Sequence, residues 1–417
     1  MKNKKAGVWT LFEYNIAITC LIPFLEVLKQ IISKPIILGS EIFYISGLIK
    51  DLIACVIWAM AIYLYYKHIN NKNLLYNKTT VFFAMAWLFW ITFLIFISDD
   101  LMKSVWAARQ YVEFLPLFII ALISSKKKEI SDTTSCNILI VYSVAVAIIG
   151  LIRFYIDDNF LILKTEFLNL DQLHPIFEEM RLKRFTSLAL NPNETGVILF
   201  VGLIAGIAHI ARRGLKLWVV FCLLLCLYCL FLTYSRSAWL GLATGFSIFF
   251  IVEKRTRKYL LFLFLITIIL FLNVETIRAR IVLPGLWDPR FVNWSYAFNE
   301  ITSSLKMFIL GKGLGSLGGR ISFNQAYTTL DNSYLMVCYE QGIIGLILLI
   351  SFCFSAIRKT FIKKMDVEEK AFLSIFISLL VSNLFSPTML TPWGNALFWL
   401  SCGFFVKYKA NGHLLYI

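Results

Sequence analysis

The sequence is dominated by apolar runs of about 20 residues, which recur along its whole length. A helix needs about 20 apolar residues to cross the roughly 30 Å hydrocarbon layer of a bilayer. Hydrophobic residues make up 59% of the 417 residues and charged residues 16%, against about 45–50% and about 25% in soluble domains. The sequence therefore predicts an all-α polytopic membrane protein.

Hydropathy windows of about 19 residues predict about twelve transmembrane helices in one transmembrane domain covering residues 1–417. They lie near 11–32, 48–66, 79–98, 109–124, 137–156, 194–211, 214–233, 237–253, 258–274, 332–356, 370–387 and 392–408. Lysine-rich connections recur on the side of the N-terminus, and the positive-inside rule assigns that side, with both termini, to the cytoplasm. Two long loops, 157–193 and 275–331, are then expected on the outer face.

The net charge of +15 follows from this topology, because an excess of Lys and Arg marks cytoplasmic loops. We therefore expect no nucleic-acid partner. The outer face carries nine arginines: Arg109, Arg153, Arg181, Arg184, Arg236, Arg278, Arg280, Arg290 and Arg320. Topology does not explain this enrichment, whereas the planar guanidinium fork is well suited to binding phosphate. The outer face is therefore predicted to bind a phosphorylated ligand.

A short polar break at Ser235-Arg236-Ser237 separates two strongly apolar runs. An arginine at the centre of a bilayer costs about 2.5–3.5 kcal/mol on insertion scales, so Arg236 needs a cavity or a partner. In one interpretation Arg236 reaches to the membrane interface beside Tyr234 and Trp239. In the functional interpretation Arg236 stands at the tip of a helix hairpin, where Ser235 adds a hydroxyl donor for a ligand.

The second outer loop contains three candidate phosphate ligands, Arg278, Arg280 and Arg290. A helix is predicted from about Arg290 to Leu305, and it places Arg290, Trp294 and Phe298 on one stripe. Such a stripe is typical of an amphipathic helix that packs at a membrane interface. Alternatively, the guanidinium binds phosphate while the aromatic rings stack on sugars or line a lipid path.

Asp331 and Asn332 precede the next apolar run, and either residue would serve as an N-cap. Glu340 follows nine residues later, which is roughly 13 Å along a helix at 1.5 Å per residue. A carboxylate at that depth is a candidate functional residue that needs a partner or an aqueous cleft. Gly342 and Gly345 permit close approach of another helix.

The segment Asn191-Pro192-Asn193 closes the first outer loop, shortly after Arg184. Asn193 is a candidate ligand-binding residue, although a capping role at the following helix would also explain it. His174 is the only histidine expected on the outer face, so no cluster of metal ligands is predicted. We therefore expect neither a metal nor another cofactor.

In this order, these segments resemble the O-antigen ligase and O-antigen polymerase superfamily of the bacterial inner membrane. The resemblance covers about residues 190–400 through its motifs and the whole chain through its twelve-helix plan. The motifs are Asn191-Pro192-Asn193, Ser235-Arg236-Ser237-Ala238-Trp239, Arg290 in a Trp-rich helix, Gly313-Leu314-Gly315, Asp331-Asn332-Ser333-Tyr334-Leu335 and Glu340-Gln341-Gly342-Ile343-Ile344-Gly345.

The resemblance implies a lipid-carrier-dependent glycosyltransferase of GT-C-like architecture, with its active site facing the periplasm. Such enzymes use a glycan on undecaprenyl pyrophosphate and need no metal, because arginines neutralise this activated leaving group. The implied partners are this lipid-linked oligosaccharide and membrane lipid, and a chain-length regulator protein is a further candidate. The implied catalytic residues are Asp331, Glu340 and Arg290, and the implied substrate-binding residues are Arg236, Arg278, Arg280, Arg184, Asn193, Asn332, Ser235 and Trp294.

One residue departs from the ligase pattern. Ligases typically carry a histidine where this sequence has Asp331, and that histidine is thought to be the base for the acceptor hydroxyl. A carboxylate can also accept a hydroxyl proton, so the departure favours an O-antigen polymerase over a ligase. A polysaccharide transporter or flippase is the alternative of another class. It would be expected to carry ionisable groups along a path through the bilayer, whereas the charges here concentrate at one face.

Overall fold

The computed structural model describes residues 45–68, 78–123, 134–156, 181–188, 191–261, 289–317, 330–358 and 365–406, with three short strand segments and a few isolated positions. Thirteen α-helices lie in this part of the chain. They are α1 (Ile45–His68), α2 (Lys78–Phe96), α3 (Leu101–Val112), α4 (Leu115–Ile123), α5 (Thr134–Leu151), α6 (Pro192–Arg213), α7 (Leu217–Leu232), α8 (Arg236–Val252), α9 (Pro289–Ile301), α10 (Leu305–Leu310), α11 (Ser333–Arg358), α12 (Val367–Ser382) and α13 (Pro392–Val406).

Two small antiparallel β-pairs accompany the helices. They are β1 (Ile36–Leu38) with β2 (Glu41–Phe43), and β3 (Phe167–Asn169) with β4 (Arg181–Lys183). The sequence-based expectation of an all-α chain did not include these pairs. Strands of three residues are too short to show a clear alternation of apolar and polar residues. The sequence pattern therefore predicted helices alone.

Five stretches in the described residues are long and apolar enough to cross a membrane. They are Lys78–Phe96, Leu101–Leu122, Ser135–Ile156, Pro192–Arg213 and Ser333–Arg358. Shorter apolar helices cover Ala54–Leu64, Leu217–Leu232 and Arg236–Val252. The chain is therefore a polytopic membrane protein. The predicted runs at 11–32 and 258–274 lie almost wholly outside the described residues, so the total of about twelve helices stays a prediction.

The helix predicted over 109–124 is two helices in the structure. α3 begins earlier than expected, because the Asp100 side chain accepts a hydrogen bond from the backbone N–H of Lys103 at 2.9 Å and caps it. It ends at Val112, and α4 begins at Leu115 after two intervening residues. Pro116 stands in the first turn of α4, where its missing N–H costs nothing and where it prevents α3 from continuing.

α6 forms the centre of the described bundle, and every residue of its apolar window is buried. It packs against α5, α7, α8 and α12. A helix that is apolar on all sides belongs in an interior rather than at a half-solvated surface, which explains why this run lacks a polar face. The start of α6 is thereby fixed by four neighbouring helices.

α8 and α12 pack against each other in opposite directions. At one end, the Lys370 ammonium donates to Glu253 Oε2 at 2.8 Å. Near the middle, Gly245 lies so close to Ser378 that an added Cβ would stand 2.4 Å from the Ser378 hydroxyl oxygen. Because numbering rises on one helix as it falls on the other, the end of α12 at Ser382 lies beside the start of α8. Polar residues at these two ends therefore share one face of the bundle.

Candidate functional site

Polar side chains gather where α6, α8 and α11 begin and where α12 ends. We divide them into two groups. The Arg184 cluster consists of Arg153, Arg184, Asn193, Ser235 and Arg236. The Arg290 cluster consists of Arg290, Trp294, Asp331, Asn332 and Asn383.

Three predicted substrate-binding residues lie together in the Arg184 cluster. The Ser235 hydroxyl donates to Asn193 Oδ1 at 2.7 Å. Arg184 is 9% exposed, and its Nε donates to the carbonyl oxygen of Thr233 at 3.1 Å. The Arg184 Nη2 also lies 3.5 Å from Asn193 Oδ1. The structure thus joins the end of the first outer loop to the hairpin between α7 and α8.

Asn193 is not the cap of α6. Asn191 takes that role, since its Oδ1 accepts from the backbone N–H of Glu194 at 2.8 Å. Pro192 occupies the first helical position, where its fixed φ suits a helix start. The side chain of Asn193 is therefore directed to Arg184 and Ser235, so the capping alternative does not account for it.

The turn between α7 and α8 sets the position of Ser235 and Arg236. Tyr234 has a φ of 50°, a left-handed conformation that costs a non-glycine residue about 1–3 kcal/mol. Ser235 then caps α8 by accepting from the backbone N–H of Ala238 at 3.3 Å. Arg236 opens the helix and is half-buried. Backbone strain of this kind is typical of functional sites.

Arg153 belongs to this cluster, although the sequence predicted it only as one of nine outer arginines and not as a substrate-binding residue. It is 4% exposed and lies in a single π-helical turn, Ile152–Ile156, that follows α5. Its Nη1 donates to the Thr186 hydroxyl at 2.8 Å and to the Ser187 carbonyl oxygen at 3.3 Å. π-turns are frequent at functional sites, but no sequence pattern predicted this one.

Lys183 ties β4 to the same turn. Its ammonium donates to the carbonyl oxygen of Phe154 at 2.6 Å and lies 5.1 Å from the centre of the Phe154 ring. Burial, and then the positive charge of Arg153, lower the pKa of Lys183 below its ordinary value. The positive charges of Lys183 and Arg153 therefore lie close enough to influence each other.

The Arg290 cluster is built around one ion pair. Arg290 Nε donates to Asp331 Oδ2 at 2.8 Å, and the two side chains are 20% and 31% exposed. Asn332 caps α11, since its Oδ1 accepts from the backbone N–H groups of Tyr334 and Leu335 at 2.9 and 3.0 Å. Of the two candidate caps, Asn332 therefore has that role and Asp331 is directed to the arginine.

Trp294 packs inward from α9. Its ring lies 6.2 Å from the ring of Phe385, and Ala297 and Ile301 continue the same buried face. Phe298 was expected on the stripe with Arg290 and Trp294, but it is 61% exposed. Four residues make more than one full turn of 3.6 residues, so a stripe at steps of four drifts around the helix.

Asn383 is a second residue that the sequence did not reveal. It is fully buried, and its Oδ1 accepts from the Ser333 hydroxyl at 2.9 Å, the Thr388 hydroxyl at 3.0 Å and the Met389 N–H at 2.8 Å. Its carbonyl oxygen also accepts from the backbone N–H of Ser333 at 2.9 Å. Asn383 therefore fixes the start of α11, which directly follows Asp331 and Asn332, to the end of α12.

Glu340 has the partners that its depth required. The Tyr111 hydroxyl donates to Oε2 at 2.6 Å, and the backbone N–H of Gly315 donates to Oε1 at 3.1 Å. The residue is 5% exposed. Both carboxylate oxygens thus join α11 to α3 and to the segment that follows α10.

α11 is interrupted at Gly342, whose φ of 68° lies outside the helical region. A Cβ there would stand 2.0 Å from the carbonyl oxygen of Ile309, so only glycine allows the end of α10 to approach. The freed carbonyl of Gln341 accepts from Trp90 Nε1 at 3.0 Å. The freed carbonyl of Tyr339 accepts from the Lys312 N–H at 2.8 Å. A break at this depth persists because neighbouring groups satisfy the backbone.

Lys312 fastens α9 to this break. Its ammonium donates to Glu300 at 2.9 Å and to the Tyr339 hydroxyl at 3.1 Å. These two contacts, Glu300 first, raise the pKa of Lys312 above its ordinary value. The helix that carries Arg290 is therefore held against the first half of α11, which directly follows Asp331 and Asn332.

Two predicted substrate-binding residues, Arg278 and Arg280, lie outside the described residues. The same is true of most of the first outer loop, predicted at 157–193, and of residues 275–288 and 318–329 in the second. Their part in the site stays a prediction.

The model of a protein family described as O-antigen ligase matches residues 220–350. The matched region runs from α7 into α11 and contains Ser235, Arg236, Arg290, Asp331 and Glu340. The resemblance to the O-antigen ligase and polymerase superfamily is confirmed. No curated protein matched the chain. The O-antigen ligase family region and the membrane helices together indicate a membrane-embedded enzyme of the glycosyltransferase kind, for which a lipid-linked glycan is the implied substrate.

Proposed function

We propose that the protein is an O-antigen polymerase, or a polymerase of a related surface polysaccharide. It transfers the growing glycan from undecaprenyl pyrophosphate to a lipid-linked repeat unit at the periplasmic face of the inner membrane. The observation that carries the proposal is the Arg290–Asp331 pair, a phosphate-binding side chain and a candidate base 2.8 Å apart. Both side chains remain partly exposed, so a substrate can reach them.

The arginines supply the phosphate-binding part of the proposal. Arg236 opens α8 and Arg290 lies at the start of α9, where helix dipoles present positive ends to an anion. Arg184 and Arg153 are further buried arginines in the same cluster. In a partly dehydrated site, guanidinium–phosphate bonds stabilise the pyrophosphate more strongly than water does. This arrangement supports a reaction without a metal.

Asp331 is the proposed base. The acceptor hydroxyl oxygen attacks the anomeric carbon of the donor sugar, the bond from that carbon to the pyrophosphate oxygen breaks, and the hydroxyl proton passes to Asp331. Undecaprenyl pyrophosphate leaves with the bonding electron pair, and its charge is neutralised by Arg290 and Arg236. A pyrophosphate that binds Arg290 competes with the carboxylate for the guanidinium, so substrate binding itself releases Asp331 to act as base.

Glu340 is a positioning residue in this proposal rather than a second base. Its two oxygens accept hydrogen bonds from Tyr111 and Gly315, one each. In the contacts described above, Asp331 accepts through Oδ2 alone. Asn332 holds the helix start that presents Asp331. Trp294 and Ser235 complete the substrate-binding set, and a chain-length regulator remains a proposed partner.

The ligase is the second candidate, because the matched family is described as O-antigen ligase. It would transfer the finished glycan to lipid A core. The polymerase is favoured by Asp331, which stands where ligases typically carry histidine. A transporter is less well supported, since the candidate phosphate-binding arginines described here lie at the helix ends of one face.

Deletion of the gene and analysis of the accumulated glycans test the proposal. A polymerase deletion leaves lipopolysaccharide with a single repeat unit, whereas a ligase deletion leaves undecaprenyl-linked polymer and bare core. Complementation with Arg290→Ala should fail to restore the polymer ladder while the protein still inserts. Lys306→Ala is the matched control, because Lys306 is exposed on α10 in the same segment. A normal ladder with Arg290→Ala removes this arginine from the mechanism.

A further inference from the structure

A second charged pocket lies at the opposite ends of the helices that carry the Arg184 cluster. It has a volume of about 390 Å³ and is lined by Arg212, Glu253, Arg255, Met365, Asp366, Val367 and Lys370. Arg212 is near the end of α6 and Asn193 is near its start, so the two sites are roughly 28 Å apart at 1.5 Å per residue. The pocket is therefore separate from the candidate active site.

The floor of the pocket is a neutralised ion pair. Glu253 is 6% exposed, and its two oxygens accept from the Lys370 ammonium at 2.8 Å and from the Arg255 N–H at 3.2 Å. Burial alone would raise the pKa of Glu253, but these hydrogen bonds and the charge of Lys370 outweigh it and lower the pKa below its ordinary value. Glu253 therefore stays ionised and offsets one of the lining cations.

The other lining residues are charged or apolar. The seven lining residues include three cations, Arg212, Arg255 and Lys370, and two carboxylates, Glu253 and Asp366, so their formal net charge is +1. Asp366 is itself engaged as the cap of α12, where it accepts from the Glu369 N–H at 2.9 Å. The apolar wall is formed by Met365 and Val367.

We propose that this pocket binds the phosphodiester headgroup of an anionic phospholipid. Three apolar helices, α6, α8 and α12, end or begin here, so the pocket lies at the level of a bilayer surface. Its volume falls in the range of about 300–1,000 Å³ that suits small-molecule sites. Basic pockets between membrane helices bind anionic headgroups, each Lys or Arg contributing about 1 kcal/mol. The positive-inside rule places this face on the cytoplasmic leaflet.

The test uses the full-length protein in detergent, with phosphatidylglycerol binding measured by native mass spectrometry and phosphatidylcholine as the neutral comparison. We expect the wild type to prefer phosphatidylglycerol. Arg255→Gln should weaken that binding by about fivefold, the equivalent of about 1 kcal/mol. Arg255 is exposed, so its replacement leaves the fold intact, which an unchanged unfolding temperature verifies.

Arg213→Gln is the matched control, because Arg213 is exposed beside Arg212 but does not line the pocket. It should change phosphatidylglycerol binding by less than about twofold. Equal weakening of phosphatidylglycerol binding by both variants would show general attraction to the charged surface and would overturn the proposed site. Absence of any lipid preference would overturn it as well. Displacement of the lipid by millimolar inorganic phosphate would assign the pocket to a soluble anion and overturn the lipid assignment.

Discussion

The Arg184 and Arg290 clusters both present arginines on the same face, but they hold them differently. Arg184 is 9% exposed and donates to a backbone carbonyl and an amide oxygen, whereas Arg290 is 20% exposed and donates to the carboxylate of Asp331. The bonds of Arg184 to Thr233 and Asn193 fix its position against two neighbouring elements. An ion pair offsets the charge and can be exchanged for another anion.

In the proposed mechanism, this difference gives the two clusters different tasks. Arg184 is buried and bonded to Thr233 and Asn193, so its position is fixed, which suits steady binding of a pyrophosphate. The Arg290 cluster is an ion pair that an incoming phosphate can open, and opening it exposes the group that takes the acceptor proton. One region binds, and the other responds to binding.

The largest effect is expected at the break that supports the Arg290 cluster. Gly342→Ala should destabilise the protein by about 3 kcal/mol or more, because the new Cβ meets the Ile309 carbonyl and the backbone is left-handed. Gly313 is the matched control, since its φ is 97° but its Cβ would meet nothing within 4 Å. Gly313→Ala should cost about 1 kcal/mol. Thermal unfolding in detergent measures both, and equal losses would show that the close approach is unimportant.

A smaller loss is expected at Asn383. Asn383→Leu should cost about 2–3 kcal/mol, because it leaves buried hydrogen-bond donors of Ser333, Thr388 and Met389 without their acceptor. Asn383→Asp keeps an acceptor oxygen, so it should lose less stability and should retain more activity than Asn383→Leu. If the two variants unfold at the same temperature, Asn383 does not anchor the Arg290 cluster.

The smallest effect compares two lysines at alkaline pH. The pKa of Lys312 is raised, so its stabilising contribution is complete below about 10.4, the ordinary lysine value, and is lost as pH rises through the folded-state pKa. The pKa of Lys183 is lowered, so its folded state loses the proton first and stability gains as pH rises toward 10.4.

Unfolding temperatures measured from about pH 8 to pH 11 therefore separate the two regions. Lys312→Met should remove part of the alkaline loss of stability, and Lys183→Met should remove an opposing gain. Shifts of the same sign in both variants would contradict the opposite pKa shifts of the two lysines.

The sequence predicted the helices that position the site but not their long-range contacts. Helical runs, the outer arginines and the need of Glu340 for a partner followed from hydropathy and depth. The partner itself, Tyr111, is 229 residues away, and local patterns carry no such information. Likewise, Gly342 predicted that another element approaches closely. The break in α11, however, depends on the close approach of Ile309 and on the hydrogen bond from Trp90.

Which polar residue takes which local role was equally hidden. Asn191 and Asn193 are the same residue type, and Asp and Asn are similarly good N-caps, so residue type does not separate Asp331 from Asn332 either. Only the tertiary partners, Ser235 for Asn193 and Arg290 for Asp331, decide between them.

The exchange of Asp331 for pyrophosphate on Arg290 is the central claim, and binding measured together with turnover tests it most directly. Undecaprenyl pyrophosphate is titrated into the wild type and into Asp331→Asn, and glycan transfer is measured in parallel. The account predicts that Asp331→Asn binds the lipid at least as tightly as the wild type, because a competing carboxylate is gone, while transfer slows by about 100-fold or more. Weaker lipid binding, or transfer at the wild-type rate, would contradict it.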